Sequence, residues 1–273
     1  MGKIDAPAIQ QLLSDASASS LDLLEAFSEI DSTNSYLLRE PSPLPGRHRV
    51  AIAGHQTAGR GRHDREWLSA HHGSLCLSIA HTFIETPENL PALTLASGVG
   101  IVNALGQFGV DGVGLKWPND IVLCDGKLGG MLTETRSNGG TGVTVVIGIG
   151  LNIDLPEAIS GNIASRWAHR AIDLKSAMAS PPAREALAGA IIDELFRVLS
   201  TYACKGFAAF ATEWAQLDWL QGRAISVDGP DGATSGIADG VDAHGALRVR
   251  TAAGTQCIIS GSITVDSATE LAG

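Results

Sequence analysis

Residues 143–153 read VTVVIGIGLNI. The odd positions are Val145, Ile147, Ile149 and Leu151, and the even positions end in Gly148, Gly150 and Asn152. Side chains alternate across a strand, so this run predicts a strand with one face packed normally and the other stripped bare. Glycine inside a strand weakens it and marks a close approach by a ligand or another backbone. Gly129-Gly130, inside a second β-type run at 127–135, repeats the signature. Two such strands predict the floor of a ligand site, with the opposite face of the sheet turned to a core.

The flanking segments supply both helices and strands. Apolar spacing at Ile9, Leu12, Leu13, Leu21, Leu23, Leu24 and Phe27 predicts one or two short helices over 8–27, too little for a helix-turn-helix domain with its own core. Ser32-Thr33-Asn34-Ser35 is placed to cap a helix running to about Arg39; the alternative is that the same polar groups face a small ligand. Residues 48–55 and 75–81 read as strands, and 90–108 as a helix ending at Gly109. A short strand at 113–117 is turned by Pro118-Asn119-Asp120. Residues 121–124 return, and Asp125-Gly126 signals a hairpin. The stretch 154–182 is loop-rich with a short helix expected near 163–169, and helices follow at 183–204 and 207–217. From about Gly222 the character changes to short β-type runs at 223–227, 235–241, 247–250 and 255–259. That is a small all-β domain of SH3-like size, expected to be a partner or packing module rather than a chemical site.

Residues 59–67 read GRGRHDREW. If extended, Arg60 and Arg62 project to one side, each with a planar fork suited to carboxylate or phosphate oxygens. Trp67 adds a flat apolar face. Alone, such a stretch reads as a solvated surface loop; beside two glycine-stripped strands it reads as part of a site. The cations near that sheet are Arg60, Arg62, Lys116 and Lys127, with Ser32, Thr33, Gln56, Asn119, Asp120 and Asn152 as polar companions. No lone histidine or cysteine stands out as a nucleophile. Such a site fits phosphoryl or nucleotidyl chemistry by charge stabilisation. An apolar floor suits a small apolar acid whose carboxylate the cations hold close to the α-phosphate of ATP, with Mg²⁺ sharing the charge.

Other classes are set aside. There is no phosphate-binding Gly-x-x-x-x-Gly-Lys-[Ser/Thr] loop, and Gly59-x-Gly61 has Asp64 where a dinucleotide fingerprint needs glycine. There is no Gly-x-Ser-x-Gly elbow. The net charge of -10 over 273 residues argues against a general nucleic-acid binder, and no apolar run is long enough to span a membrane. The start carries no signal-peptide pattern. Cys76, Cys124, Cys204 and Cys257 are scattered, which fits a reducing cytoplasm and four small core residues. His71-His72 has no carboxylate at ligand spacing, so no protein-bound metal is expected.

The chain resembles the biotin protein ligases. The resemblance is carried by Ser32-Thr33-Asn34, Gln56, residues 59–67, Lys116-Trp117-Pro118-Asn119-Asp120, Lys127-Leu128-Gly129-Gly130 and Gly148-Ile149-Gly150-Leu151-Asn152, in the family's order over about residues 30–270. It implies an α+β fold: a catalytic domain like the class II aminoacyl-tRNA synthetases and lipoyl ligases, then an SH3-like β-barrel. The expected division is an N-terminal helical segment at 1–30, a catalytic biotin/ATP-binding domain at 31–220 and the C-terminal domain at 221–270. It implies that biotin and MgATP give biotinyl-5′-AMP and pyrophosphate, and that a lysine of a biotin carboxyl carrier domain of a biotin-dependent carboxylase then attacks the mixed anhydride. By the same likeness Ser32, Thr33, Asn34 and Gln56 contact biotin. Gly59, Arg60, Gly61 and Arg62 fold over the adenylate, with Trp67 near the adenine or closing the loop. Lys127 binds carboxyl and phosphate oxygens, and Gly130, Gly148, Gly150 and Asn152 line the pocket. Lys116, Asn119 and Asp120 support the phosphates or the incoming lysine. Lys127, Arg62 and Asp120 are the expected catalytic groups.

Two departures stand out. The family usually has glycine at the position of Asp64 and often a basic residue at that of His63. The DNA-binding domain of bifunctional members has no counterpart here, so ligase activity without DNA binding is expected. Dimerisation occurs in the family, although no stretch identifies an interface. The alternatives are a lipoate or octanoate ligase of the same fold, and a non-catalytic small-acid binding module.

Overall fold

A computed structural model describes residues 4–63, 65–71, 73–139, 142–156, 171–230 and 232–265. The helix expected near 163–169, and Asp64, lie outside the described residues.

Seven strands form the main sheet: β1 (Leu21–Phe27), β2 (His48–Ala53), β3 (Ser74–Phe83), β4 (Gly114–Lys116), β5 (Asp120–Leu123), β6 (Gly126–Ser137) and β7 (Val143–Asn152). Their order is β1-β2-β3-β7-β6-β5-β4. Only β1 against β2 is parallel; the other neighbours are antiparallel. The alternation in β7 works as its sequence predicts. Val145, Ile147, Ile149 and Leu151 join the large core together with Leu75, Leu77 and Ile79 of β3. That core lies under α4 (Leu93–Gly106) and the long α6 (Arg184–Lys205), which pack on each other and on the sheet.

The opposite face carries α3 (Thr33–Arg39), seated on β2, β3 and β7 over Leu37, Ala51, Ala80 and Val146. Beyond Val146 the same face offers Gly148, Gly150 and Asn152, and their β3 partners are Ser78, Cys76 and Ser74. A helix therefore covers half of this face, and small side chains leave the other half open.

Several expectations need correction. Residues 21–27 form strand β1, not the end of a helix; α1 (Ala6–Leu12) and α2 (Asp15–Ser20) precede it. Parallel pairing with β2 over six register positions decides the matter, because an edge strand with one solvent-facing side has a pattern that also suits a short amphipathic helix. The hairpin turn falls one residue early: the positive-φ positions are Cys124 (46°) and Asp125 (55°), with Gly126 already in β6. Of the four cysteines only Cys76 is buried; Cys124, Cys204 and Cys257 are exposed thiols.

After a one-turn α5 (Leu174–Ala177), α6 and α7 (Ala211–Leu217), the chain forms a second, five-stranded sheet. Its strands are β8 (Ala224–Gly229), β9 (Gly232–Val241), β10 (Leu247–Thr251), β11 (Gly254–Ile258) and β12 (Ser262–Val265), in the order β11-β10-β9-β8-β12, all antiparallel. This is the expected small C-terminal β domain, with β12 as the strand that periodicity did not reveal. Among the described residues no helix is long and apolar enough to cross a membrane.

Candidate active site

A cavity of about 770 Å³ opens on the glycine-stripped half of the sheet, within the range of about 300–1,000 Å³ usual for small-molecule sites. Three segments enclose it: the N-terminus of α3, the loop at 59–67, and β12 with the residue before it.

The α3 end is polar and tightly braced. Ser32 caps the helix by accepting from Ser35 N. Thr33 donates from its backbone N and from Oγ1 to Gln56 Oε1, at 2.7 and 3.0 Å. Asn34 spends both amide hydrogens on protein, at Leu132 O and Glu134 Oε2, and its Oδ1 lies 2.6 Å from Ser78 Oγ. Ser32, Thr33 and Asn34 are buried yet line the cavity.

The glycine floor has a definite occupant. A Cβ on Gly148 would overlap the Asn34 carboxamide, and one on Gly150 would overlap the Trp67 indole. The bare strand face thus admits two of the protein's own side chains, and these shape the cavity. Gly130 lines it beside Asp120 and Lys127, whereas Gly129 faces away, against Leu151.

The loop closes on itself. Trp67 N donates to Gly59 O, Gly61 N donates to Arg65 O, and Arg60 bridges Glu66. Gly59 is not among the cavity-lining residues; it sits against the Trp67 backbone, where a Cβ would collide, so the structure gives it a loop-closing position. Arg60, Gly61, Arg62 and Trp67 do line the cavity.

Cations and one carboxylate converge at the other end. Lys127 Nζ donates to Asp120 Oδ1 at 2.5 Å, both largely buried, and stands 6.0 Å from the Trp67 ring centre. Burial pushes Lys116 down to about 8, Asp120 opposing this while Lys127 and Arg65 reinforce it. Burial also pulls the Arg62 guanidinium below its ordinary value, against the attraction of Asp120. Arginine keeps its charge regardless. Asn119 holds the turn by donating to Met131 O at 2.7 Å. Asn152 is fully buried and donates to the carbonyls of Lys127 and Ile172. It braces the backbone of Lys127 at the inner wall of the cavity.

The C-terminal β domain, expected to be a partner or packing module, contributes to the site. Gly261, Ser262, Ile263 and Thr264 line the cavity, so the small β domain is part of the site wall. Arg62 Nη2 donates to Ser260 Oγ at 3.2 Å, Arg65 Nη2 to Ser262 Oγ at 2.7 Å, and Lys116 Nζ to Ile263 O at 3.3 Å. Ser78 and Glu134, which anchor Asn34, are not among the expected site residues. The alternation that found Gly148 and Gly150, applied to 74–83, would have put Ser78 and Cys76 on one face. Away from the cavity the fold gathers Glu29, His55 and His71, whose potential ligand atoms lie within 4.8 Å of one another, so a carboxylate does stand near one of the adjacent histidines although sequence spacing hides it. His55 is pulled below its ordinary value by burial and then by His71.

Residues 26–152 match the model of the Biotin/lipoate A/B protein ligase family, and residues 221–265 that of the Biotin protein ligase C terminal domain. The chain is 33% identical over 239 residues to the bifunctional ligase/repressor BirA of Escherichia coli (strain K12), covering 88% of this chain and 73% of that protein. It is 29% identical over 247 residues to the biotin--[acetyl-CoA-carboxylase] ligase of Mycobacterium tuberculosis (strain ATCC 25618 / H37Rv), covering 88% of each. Among solved structures, the biotin protein ligase from Aquifex aeolicus in complex with biotin and ATP superposes with a TM-score of 0.72 at 27% identity, over 90% of this chain and 98% of that one.

Proposed function

The chain belongs to the biotin/lipoate A/B protein ligase family, and from that premise we propose that it is an ATP-dependent biotin protein ligase. The observation that carries the reading is a single cavity with two chemically distinct ends. A braced polar pocket at Thr33, Asn34 and Gln56 lies at one, and the Arg62, Lys116 and Lys127 cations lie at the other.

The first end suits a compact ring bearing both N–H and C=O groups, held by oriented amide and hydroxyl groups. The second suits a carboxylate meeting a triphosphate. In the first half-reaction the acid's carboxylate oxygen attacks the α-phosphorus of ATP, and the bond to the pyrophosphate oxygen breaks. Lys127, fixed by Asp120, and Arg62 offset charge on the transferred phosphoryl oxygens, an electrostatic role for preorganised donors. Lys116 adds charge at the β12 side. Asp120 and Glu66 are lining carboxylates of the hard-oxygen type that would hold a Mg²⁺ ion brought with ATP, which would supply charge neutralisation on the leaving pyrophosphate. In the second half-reaction a neutral lysine amine of a carrier domain attacks the acyl carbon, and AMP leaves. The loop at 59–67 excludes water from the reactive anhydride meanwhile.

We read 31–220 as the catalytic unit and 221–270 as a domain that completes its wall. The carrier is proposed to be a biotin carboxyl carrier domain, as the name of the Mycobacterium relative implies for that protein. The net charge of -10 speaks against a general DNA-binding face. ATP–pyrophosphate exchange run with biotin, with lipoate and with no acid tests the reading. Exchange with biotin alone supports it, exchange with lipoate alone replaces it by a lipoate ligase, and exchange with neither leaves a binding module.

A further inference from the structure

A polar circuit runs from the base of the arginine loop through the ring-binding pocket and back to the loop. Gln56 Oε1 accepts from Thr33, and Ser78 Oγ lies 2.7 Å from Thr33 Oγ1 and 2.6 Å from Asn34 Oδ1. Asn34 Nδ2 donates to Glu134 Oε2 at 2.9 Å, and the same carboxylate oxygen accepts from Arg60 Nη2 at 2.6 Å. Arg60 follows Gln56 by only four residues, so the circuit closes across the start of the loop. Glu134 itself is not among the cavity-lining residues; it stands behind Asn34 on β6.

We propose that Glu134 is a positioning residue that couples filling of the small-acid pocket to placement of the arginine loop. Its one oxygen serves two donors, one belonging to the pocket and one to the loop. Hydrogen bonds to an ionised acceptor are shorter and stronger than neutral ones. With its amide hydrogens held by Leu132 and Glu134, Asn34 has its carboxamide turned so that Oδ1 faces Ser78 and the strand floor at Gly148, while the residue lines the cavity. Gly148 leaves room for that orientation and no other residue would. A ligand seated against the braced Asn34 stiffens that carboxamide further, and so stiffens the carboxylate that Asn34 shares with Arg60. The loop then loses less freedom when it orders over the second substrate, which is positive coupling without a large shape change. Coupling is reciprocal, so a placed loop also retains the first ligand.

The inference rests on the ligase reading and is tested on the full chain. Biotin affinity is measured by calorimetry with and without α,β-methylene-ATP, which cannot transfer its adenylyl group, and release of preformed biotinyl-AMP by stopped-flow tryptophan fluorescence. In Glu134→Gln the tightening of biotin by the nucleotide analogue is expected to fall severalfold and adenylate release to rise about tenfold. Biotin affinity without nucleotide should change less than the tightening by the analogue, because a glutamine oxygen still accepts from Asn34, and the melting temperature should stay near wild type. Arg60→Ala should reproduce the release rate, and Glu134→Gln/Arg60→Ala should be no worse than either single variant, because both cut one link. Additive effects, or unchanged coupling and release in Glu134→Gln, overturn the proposal. If Glu134→Gln melts early, Arg60→Ala alone decides by the same two readouts. A wild-type chain that forms no biotinyl-AMP removes the ligase reading itself, which no variant result does.

Discussion

Gly148 and Gly150 do their work by what they leave out. The space above each Cα is filled by Asn34 and by Trp67, so adding one methyl group pushes a site residue rather than an inert one. Overpacking of this kind costs about 1–3 kcal/mol, and at Gly148 the shift falls on the Asn34 carboxamide. Gly148→Ala is therefore expected to weaken biotin binding by about 10- to 100-fold in calorimetry while far-ultraviolet circular dichroism stays unchanged. Gly150→Ala should instead disturb Trp67, with the larger loss in adenylate retention.

Lys116 makes a second prediction at this scale. Burial brings its ammonium to about 8, so its charge is lost as pH rises through that value, well below the ordinary lysine range. If it serves as a cation, pyrophosphate exchange declines above about pH 8. Lys116→Arg, which cannot deprotonate, should flatten that limb even if it lowers the maximum. An unchanged pH profile in the arginine variant would remove Lys116 from the charge-stabilising set.

Among the elements, the loop at 59–67 and strand β12 act together. The loop is internally closed, and its outer arginines reach Ser260 and Ser262 of the C-terminal domain. Each such bond is worth about 1 kcal/mol, enough to shift loop occupancy severalfold without affecting the core. Ser260→Ala/Ser262→Ala is expected to release biotinyl-AMP about five- to tenfold faster at an unaltered melting temperature. Arg62→Ala, which removes the charge as well as the bond, should leave the fold intact but leak adenylate or lose adenylation. Wild-type retention in both variants would show that the loop is held otherwise.

Across the whole molecule, the large core contains a titratable seam. His48 on β2 and His81 on β3 stack on each other, and His48 also stacks on Phe196 of α6. Both are buried, and each Nδ1 lacks a hydrogen-bond partner among the described residues. Burial lowers His48 to about 3, with His81 and Arg47 adding to it, and lowers His81 to about 4. The folded state thus binds these protons later than the unfolded state, whose histidines titrate near 6.5. Above that pH the pair contributes no dependence; below it the unfolded chain gains protons and stability falls until the folded pKa values are reached. At pH 5 the loss amounts to about 2 kcal/mol per histidine. Urea titrations at pH 7.5 and 5 should show it, and a His48→Leu/His81→Leu variant should show a much flatter dependence.

The sequence by itself determined the parts whose signal is local. The alternation of 143–153, the serine cap of α3, the long amphipathic α6 and the charged GRGRHDREW run are each written in neighbouring residues, and α3, β7 and α6 formed where those patterns put them. Tertiary structure alone decided what those parts meet. Residues 21–27 became a strand because β2 lay alongside to pair with it. Glu134 and Ser78 entered the site because register on β6 and β3 set them beside Asn34. β12 and the turn before it became a wall of the cavity because Arg65 and Lys116 reach the strand, and Arg62 reaches Ser260, across about 150–200 positions of chain. Such meetings depend on chain reversal and sheet register, and a periodic pattern within one segment holds no information about either.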